Sequence, residues 1–389
     1  MNDRTRPASN LLSGVSKQRK PGHSQEQGRC LPGFPAGWFA VGFSHELSRG
    51  MILPRQCMGH QLVLFRTQSG RACAVDAYCP HMGAHFGHGG TVEGEVIRCP
   101  FHGFCFDQRG ACVATGYGTK PPPTAQLRTW PLREVNGMLL VYYDHAGHKP
   151  NWEVPACDEE GWTPPRTSVW SLRSHPQETT ENSVDIGHFR YVHGYQSIEI
   201  LSDLMTDGPY LSARYAMKRP AGLFERGKAK QGIRAEFKIH VHGLGYSLVE
   251  VSIPAYNLQT RHLVCATPTE PGWIELRVSV SMQRMEKPGQ ISPLLLLVPR
   301  SLVERIVSWQ VFKTFVHDLQ QDFEIWEYKR YIQPPALASG DGPVGKYRTW
   351  ARQFYREPAR QAVTGFDDGS AQEDCSRDTV RKREHAILQ

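Results

Sequence analysis

The segment from Cys79 to Asp107 reads CPHMGAHFGHGGTVEGEVIRCPFHGFCFD. It carries Cys-Pro-His and, 17 residues later, Cys-Pro-Phe-His. No other feature restricts the fold as much. Two short loops must each bring one thiolate and one imidazole to a common point, so both need anchoring on a small rigid framework. A structural zinc ion held by two Cys and two His is one possible occupant. Zinc fingers, however, pair Cys with Cys and His with His, whereas here each loop supplies one of each. Ten cysteines in 389 residues are far below the density of a disulfide scaffold. The thiols are therefore expected to be reduced or metal-bound.

The spacing C-x-H-x17-C-x2-H suits a Rieske [2Fe–2S] cluster better than zinc. One iron takes both thiolates, Cys79 and Cys99; the other takes both imidazoles, His81 and His102. Neutral imidazoles in place of two thiolates raise the cluster's potential. Gly83, Gly87, Gly89, Gly90 and Gly103 allow the tight turns this needs. Cys105 and Cys112 read as core thiols.

Strand signals surround these loops. HQLVLFRTQSGRACAVD (His60–Asp76) predicts two strands about a Gln-Ser-Gly turn, and GMLLVYYD (Gly137–Asp144) predicts a buried strand. With GWFAVGFSHEL (Gly37–Leu47) opening the ordered chain, residues 35–148 are expected to form an all-β domain. A Pro/Trp-rich linker comes next, Pro150–Pro165. Beyond it TSVWSLRS predicts a strand, PQETTENSVDIGHFRYVHGY a helical stretch, and residues 211–284 mostly strands. In WIELRVSVSMQR, Ile274, Leu276, Val278, Val280 and Met282 alternate with polar residues. From Pro299 to Tyr331 the period turns helical. These elements make an α+β chain whose second domain spans residues 165–355. Residues 1–30 hold six Lys/Arg against Asp3 and Glu26; they and the charged residues 360–389 are expected to be disordered.

A second group of candidate ligands lies in ENSVDIGHFRYVH: Asn182, Asp185, His188 and His193. Asp185 and His188 share a helical face. His188 and His193 are five apart, about 140° on an ideal helix, so both can bind one metal only if the helix breaks between them. A carboxylate from elsewhere would complete the 2-His-1-carboxylate triad of non-haem Fe(II) oxygenases, which leaves positions open for O₂. Asp322, in HDLQQDFEIWEY, is the preferred donor because it lies on a strongly amphipathic helix in phase with Phe315, Leu319, Phe323 and Trp326. There a carboxylate is costly unless it binds something. Asp318, one turn away, is the second choice. Asp185 is expected to accept the second N–H of His188, or to accept from a cluster imidazole across a subunit boundary. Asn182 is placed around the ligands rather than among them. His85, His88, His240, His242 and His317 read as surface or core histidines; His240 and His242 share a strand face and could line a cavity.

Both motifs, in this order and about 80 residues apart, resemble the oxygenase (alpha) component of Rieske non-haem iron oxygenases. The resemblance covers residues ~35–355. It implies a Rieske β-domain leading into a helix-grip (START-like) catalytic domain, an antiparallel sheet wrapped by a long C-terminal helix. It matches Cys79, His81, Cys99 and His102 to the cluster and His188, His193 and Asp322 to a mononuclear iron. It also implies a homotrimer in which one subunit's cluster feeds the next subunit's iron through Asp185. Respiratory Rieske proteins carry two further cysteines; Ala84 and Phe101 occupy those places here, as in oxygenases. Phe104 stands where the family usually has Trp. QDFEIWEYKRYIQPPALASGDGPVGKYRTWARQFY and HPQETTENSVDIGHF are similar to the branch of 3-ketosteroid 9α-hydroxylases and cholesterol 7-desaturases.

The implied activity is O₂-dependent hydroxylation or desaturation of a bulky apolar substrate, a sterol or steroid first. Alternatives on the same scaffold are an aromatic-ring dioxygenase, an O-demethylase or a natural-product oxidative cyclase. A non-enzymatic Rieske electron carrier is the alternative of another class. With no glycine-rich dinucleotide fingerprint, electrons are expected from NAD(P)H through a separate reductase or ferredoxin. The net charge of +7 includes +4 from residues 1–30, which argues against nucleic acid. The longest apolar run, ISPLLLLVP at Ile291–Pro299, is far short of the ~20 residues of a membrane span. As part of ISPLLLLVPRSLVERIV it is expected near the cavity entrance. No secretory signal is visible, so a cytoplasmic location is expected.

Overall fold

The computed structural model describes residues 33–219, 232–285 and 297–355, all within one compact unit. The expected disordered ends, residues 1–30 and 360–389, and most of ISPLLLLVP lie outside the described residues. Among the described residues no helix is long and apolar enough to cross a membrane.

Eleven short strands build the N-terminal part: β1 Gly37–Phe43, β2 Ile52–Cys57, β3 His60–Arg66, β4 Ala72–Asp76, β5 Thr91–Glu93, β6 Val96–Arg98, β7 Cys105–Phe106, β8 Cys112–Ala114, β9 Thr129–Trp130, β10 Leu132–Val135 and β11 Met138–Tyr143. They form three antiparallel sheets with orders β1-β11-β10, β2-β3-β4-β9 and β5-β6-β7-β8. Strand β3 is the keystone because it is apolar on both faces. Leu62 and Leu64 pack on Phe39, Val41 and Leu139 of the first sheet. Val63 and Phe65 point the other way, against Cys79, Cys99, Phe104 and Phe106. Fully burying each such side chain is worth roughly 1.5–3 kcal/mol, so the loops bearing the Cys-His pairs rest on a packed floor.

The C-terminal part is a seven-stranded antiparallel sheet, order β12-β18-β17-β16-β15-β14-β13. Its strands are β12 Arg166–Arg173, β13 Gln196–Asp207, β14 Tyr210–Arg219, β15 Ile233–His242, β16 Tyr246–Ile253, β17 Leu258–Glu270 and β18 Trp273–Met282. Four helices accompany it: α1 Pro176–Glu181, α2 Ile186–Tyr191, α3 Arg300–Tyr328 and α4 Val344–Ala351. The 29 residues of α3 make a rod about 44 Å long. Its polarity is less cleanly divided than expected. It buries Val303, Leu319 and Trp326, yet Leu302, Ile306, Trp309 and Ile325 stay exposed.

Alternation along β17 sets the layering. Val264 and Ala266 pack with Leu319 and Trp326 of α3, while Leu263 and Cys265 pack with Trp38, Ala40 and Phe43 of the first sheet. The Ala40 carbonyl accepts from Thr267 Oγ1 at 2.6 Å and from buried Arg277 Nη1 at 2.9 Å. Backbone bonds from Met58 to Pro268 and from Gly59 to Thr269, both 2.8 Å, extend the seam. The two β modules therefore share a core, and the sheet face opposite this seam is left to the helices.

Candidate functional site

The two Cys-His loops repeat one geometry. Cys79 N donates to Ala84 O and Gly83 N donates to Cys79 O; likewise Cys99 N donates to Phe104 O and Gly103 N to Cys99 O, at 2.8–3.2 Å. Each cysteine is thus clamped by the residues four and five places on. Gly103 has φ +65°, and a Cβ there would sit 3.0 Å from Gly116 Cα, so the second loop admits only glycine. Cys79 and Cys99 are buried. The rings of His81 and His102 are 4.8 Å apart, and Phe104 stacks on His81 at 4.2 Å. Burial pushes the Cys79 thiol up to about 12. His102 Nδ1 is buried with no hydrogen-bond partner, a donor atom turned inward and left for something else.

These features fit a cluster and not a single ion. Among the described residues only one group of three or more His, Cys, Asp or Glu brings its donor atoms within 4.8 Å of one another, and it is not this one. A tetrahedral zinc ion, with bonds of about 2.0–2.3 Å, needs all four donors closer than that. A two-iron cluster spreads its thiolates and imidazoles over two metals.

The group that does converge is His188, His193 and Asp322. Helix α2 starts at Asp185, whose Oδ1 accepts from His188 N at 3.2 Å as an N-cap. The helix ends at Tyr191, and Gly194 at φ +71° turns the chain. That break swings His193 back, so the two rings lie 5.1 Å apart. Asp322 enters from α3, 5% exposed, with Oδ2 3.5 Å from His193 Nε2.

Each imidazole is held by its far nitrogen. His188 Nδ1 donates to the Asp185 carbonyl oxygen at 2.5 Å. The acceptor expected from the sequence was the Asp185 carboxylate, but its Oδ2 is 4.0 Å away because Oδ1 is engaged in capping the helix. His193 Nδ1 donates to Gln321 Oε1 at 2.9 Å. Both Nε2 atoms are thereby left unprotonated toward the centre. Burial lowers the pKa of His188, only partly offset by Asp322 and Asp185. Burial also pulls on His193, but its protonated form would gain a bond from Nε2–H to Asp322, that residue's charge and the Gln321 bond, and its pKa rises.

Asp318 does not join the group. Arg219 Nη2 donates to it at 2.9 Å and Tyr195 Oη at 3.3 Å. Asn182 caps the end of α1 and accepts from Trp326 Nε1 at 3.4 Å, tying α1 to α3. The rings of His85 and His88 meet each other at 4.7 Å, and His317 is exposed. His240 lies on the sheet face away from the helices, bonded to Tyr210 Oη at 2.6 Å and 3.5 Å from Glu250. On the helix side, Phe237, Val249 and Phe315 are only partly buried and offer apolar surface.

Comparison with known proteins places this geometry. Residues 37–131 match the Rieske [2Fe-2S] domain family and residues 141–355 the family described as 3-Ketosteroid 9alpha-hydroxylase C-terminal domain. Cholesterol 7-desaturase of Bombyx mori is 30% identical over 361 residues, 89% of this chain and 76% of that one. A probable 3-ketosteroid-9-alpha-monooxygenase oxygenase component of Rhodococcus rhodochrous is 29% identical, covering 83% and 80% of the two chains. Among solved structures, dicamba monooxygenase bound to dicamba superposes with a TM-score of 0.58 at 18% identity, covering 83% of this chain and 98% of that one. Pseudomonas putida CBB5 NdmA with caffeine gives 0.62 at 16% identity, covering 81% and 89%. These structures share the fold.

Proposed function

We propose a role for a chain that belongs to the Rieske non-haem iron oxygenases with a 3-ketosteroid 9α-hydroxylase-type C-terminal domain. It is the oxygenase component, working with a [2Fe–2S] cluster and a non-haem iron, and its electrons come from a separate reductase or ferredoxin. Its substrate is a sterol or steroid, which it hydroxylates or desaturates. The observation that carries this is the convergence of His188, His193 and Asp322, with the partly buried apolar side chains Phe237, Val249 and Phe315 on the same side of the sheet. Both relatives named above act on steroid skeletons, cholesterol in one case and a 3-ketosteroid in the other.

In this scheme Cys79, His81, Cys99 and His102 hold the cluster over residues 35–148, and His188, His193 and Asp322 hold the iron in residues 165–355. The iron, when bound, supplies O₂ activation next to a substrate C–H bond. The chain's own part is positional. The Asp185 carbonyl and the Gln321 amide fix the two imidazoles, α3 fixes the carboxylate, and the apolar layer excludes water around a substrate with few polar handles.

The chain assembles as a homotrimer, each cluster serving the next copy's iron. Two exposed apolar patches support this. Met82, Phe101 and Tyr117, at 64%, 60% and 58% exposure, ring the cluster tip; Tyr191, at 86%, ends the helix that Asp185 caps, and Tyr328, at 78%, ends α3. A non-identical pair of patches makes a head-to-tail contact, which forms a ring when its rotation closes. Asp185 is the bridge, since its Oδ2 is not used in capping.

The test is anaerobic reconstitution with a generic reductase, then a screen of sterols, ketosteroids and polyaromatics for coupled O₂ uptake and product. Steroid-dependent uptake with about three irons per chain is expected. About two irons and no substrate-dependent uptake would point to an electron carrier. Turnover confined to polyaromatics, or demethylated or cyclised products, would move the substrate to another branch.

A further inference from the structure

Toward α3, strand β17 presents Leu258, Thr260, His262, Val264 and Ala266. The first belongs to an apolar cluster with Met282 and Val303, the last two to another with Leu319 and Trp326. Between these clusters sit two polar side chains. In register, Thr260 lies between Val251 and Met282, and His262 between Val249 and Val280. Above them Phe315 of α3 meets the His262 ring edge-on at 4.3 Å. The pair interrupts the apolar row of this strand face, and Thr260 also borders a polar pocket with Glu250 and Arg261.

Both residues are buried, Thr260 at 3% and His262 at 8% exposure. Thr260 Oγ1 and His262 Nε2 bond at 2.8 Å. His262 Nδ1 has no partner among the described residues. Burial holds the ring neutral, with its pKa lowered to about 3. Nδ1 is not among the fully enclosed side-chain atoms left without a partner, so it borders open space from which a partner can reach it.

We propose that the His262–Thr260 pair is the polar subsite that receives the oxygen atom of an otherwise apolar sterol or steroid. The inference rests on the substrate class proposed above and assigns it a recognition point. A threonine hydroxyl either donates or accepts. When it accepts from Nε2–H, Nδ1 is an acceptor and takes the O–H of an alcohol. When it donates to Nε2, Nδ1–H donates to a ketone. One pair therefore reads a sterol alcohol and a ketosteroid carbonyl alike. Phe315 precedes Asp322 by seven residues, about 10 Å along α3. An oxygen anchored at His262 thus fixes which carbon lies near the metal centre. His262 is a specificity residue in this role, not a catalytic one.

The test uses holoenzyme and equilibrium binding of progesterone, cholesterol and their 3-deoxy counterparts, delivered on cyclodextrin. The wild type is expected to prefer each oxygenated steroid by roughly ten- to hundred-fold, the scale of one buried hydrogen bond left unmade. In His262→Phe that preference collapses while the 3-deoxy steroids bind as before, with iron content and cluster absorption intact. Thr260→Val, which keeps the side-chain outline, narrows the preference as well and serves if His262→Phe misfolds. A wild type that binds both forms equally, or variants with an unchanged ratio, overturns the subsite alone. A wild type that binds no steroid overturns the substrate class and the subsite with it.

Discussion

His193 Nδ1 lies 2.9 Å from the side-chain oxygen of Gln321, the residue next to Asp322 on α3. One turn of helix therefore carries both a candidate ligand and the group that orients another. Removing a hydrogen-bond partner of this kind commonly costs 10–100-fold in metal affinity. Gln321→Leu is expected to weaken Co(II) binding by about that much, read by equilibrium dialysis and by the high-spin Co(II) EPR signal with the cluster oxidised. Gln321→Glu, which keeps an acceptor, should restore it. Wild-type affinity in Gln321→Leu would remove Gln321 from this role.

Asp318 and Asp322 separate cleanly by iron content. Asp322→Ala should leave about two irons per chain, those of the cluster. Asp318→Ala should keep the third and lose stability instead, because it strands Arg219. Equal iron loss in both variants would contradict the assignment of Asp322 alone.

Asp185 has two jobs that can be split. Asn caps helices as well as Asp, so Asp185→Asn should keep α2, the iron and the cluster spectrum. It removes the charge proposed to bridge the centres, so steroid-coupled turnover is expected to fall at least ten-fold. Asp185→Ala should lose about 1 kcal/mol of stability as well, seen as a lower Tm. Full turnover in Asp185→Asn would exclude the bridge.

His175 and His262 give the fold an acid limit. Burial lowers their pKa values to about 4 and about 3. Below about pH 6.5 the unfolded chain binds protons at these sites and the folded chain does not. Their contribution is complete above pH 6.5 and declines as pH drops toward 4, each group by roughly 1.4 kcal/mol per pH unit. Tm measured across that range should fall, and His175→Asn, which can still cap α1, should flatten the slope. An unchanged slope would mean His175 is protonated in the fold.

The Arg348–Glu181 pair, bonded at 2.6 and 2.9 Å and largely buried, fastens α4 to α1. Arg348→Met leaves Glu181 buried without its cation, which costs about 3–5 kcal/mol. Pairing it with Glu181→Gln should recover part of that loss in Tm, and failure to recover any would show that the two side chains act independently.

The parts visible in the sequence are those whose chemistry is local. The Cys-His loops declare themselves because ligand identity and spacing sit within one short segment, and β3, β4, β11, β18 and α3 are readable from apolar period. The choice between Asp318 and Asp322 was not local. Both lie on one helical face, and Arg219 from β14, together with Tyr195, takes Asp318 away. The acceptor for His188 was missed because a main-chain carbonyl leaves no trace in residue identity. Gln321 was missed for a different reason: its partner is 128 residues away. The His262–Thr260 pair did leave a signal, two polar residues at alternate positions of an otherwise apolar strand row, but its meaning depends on which face α3 covers.

Helix α3 bears Phe315 beside His262 and Asp322 beside His193 on a single unbroken rod. Shifting it to make room for a larger guest would drag the carboxylate out of place. On the proposed reading, altered selectivity is better sought on the sheet side, at side chains such as Val249 and Val251, with the rod left alone.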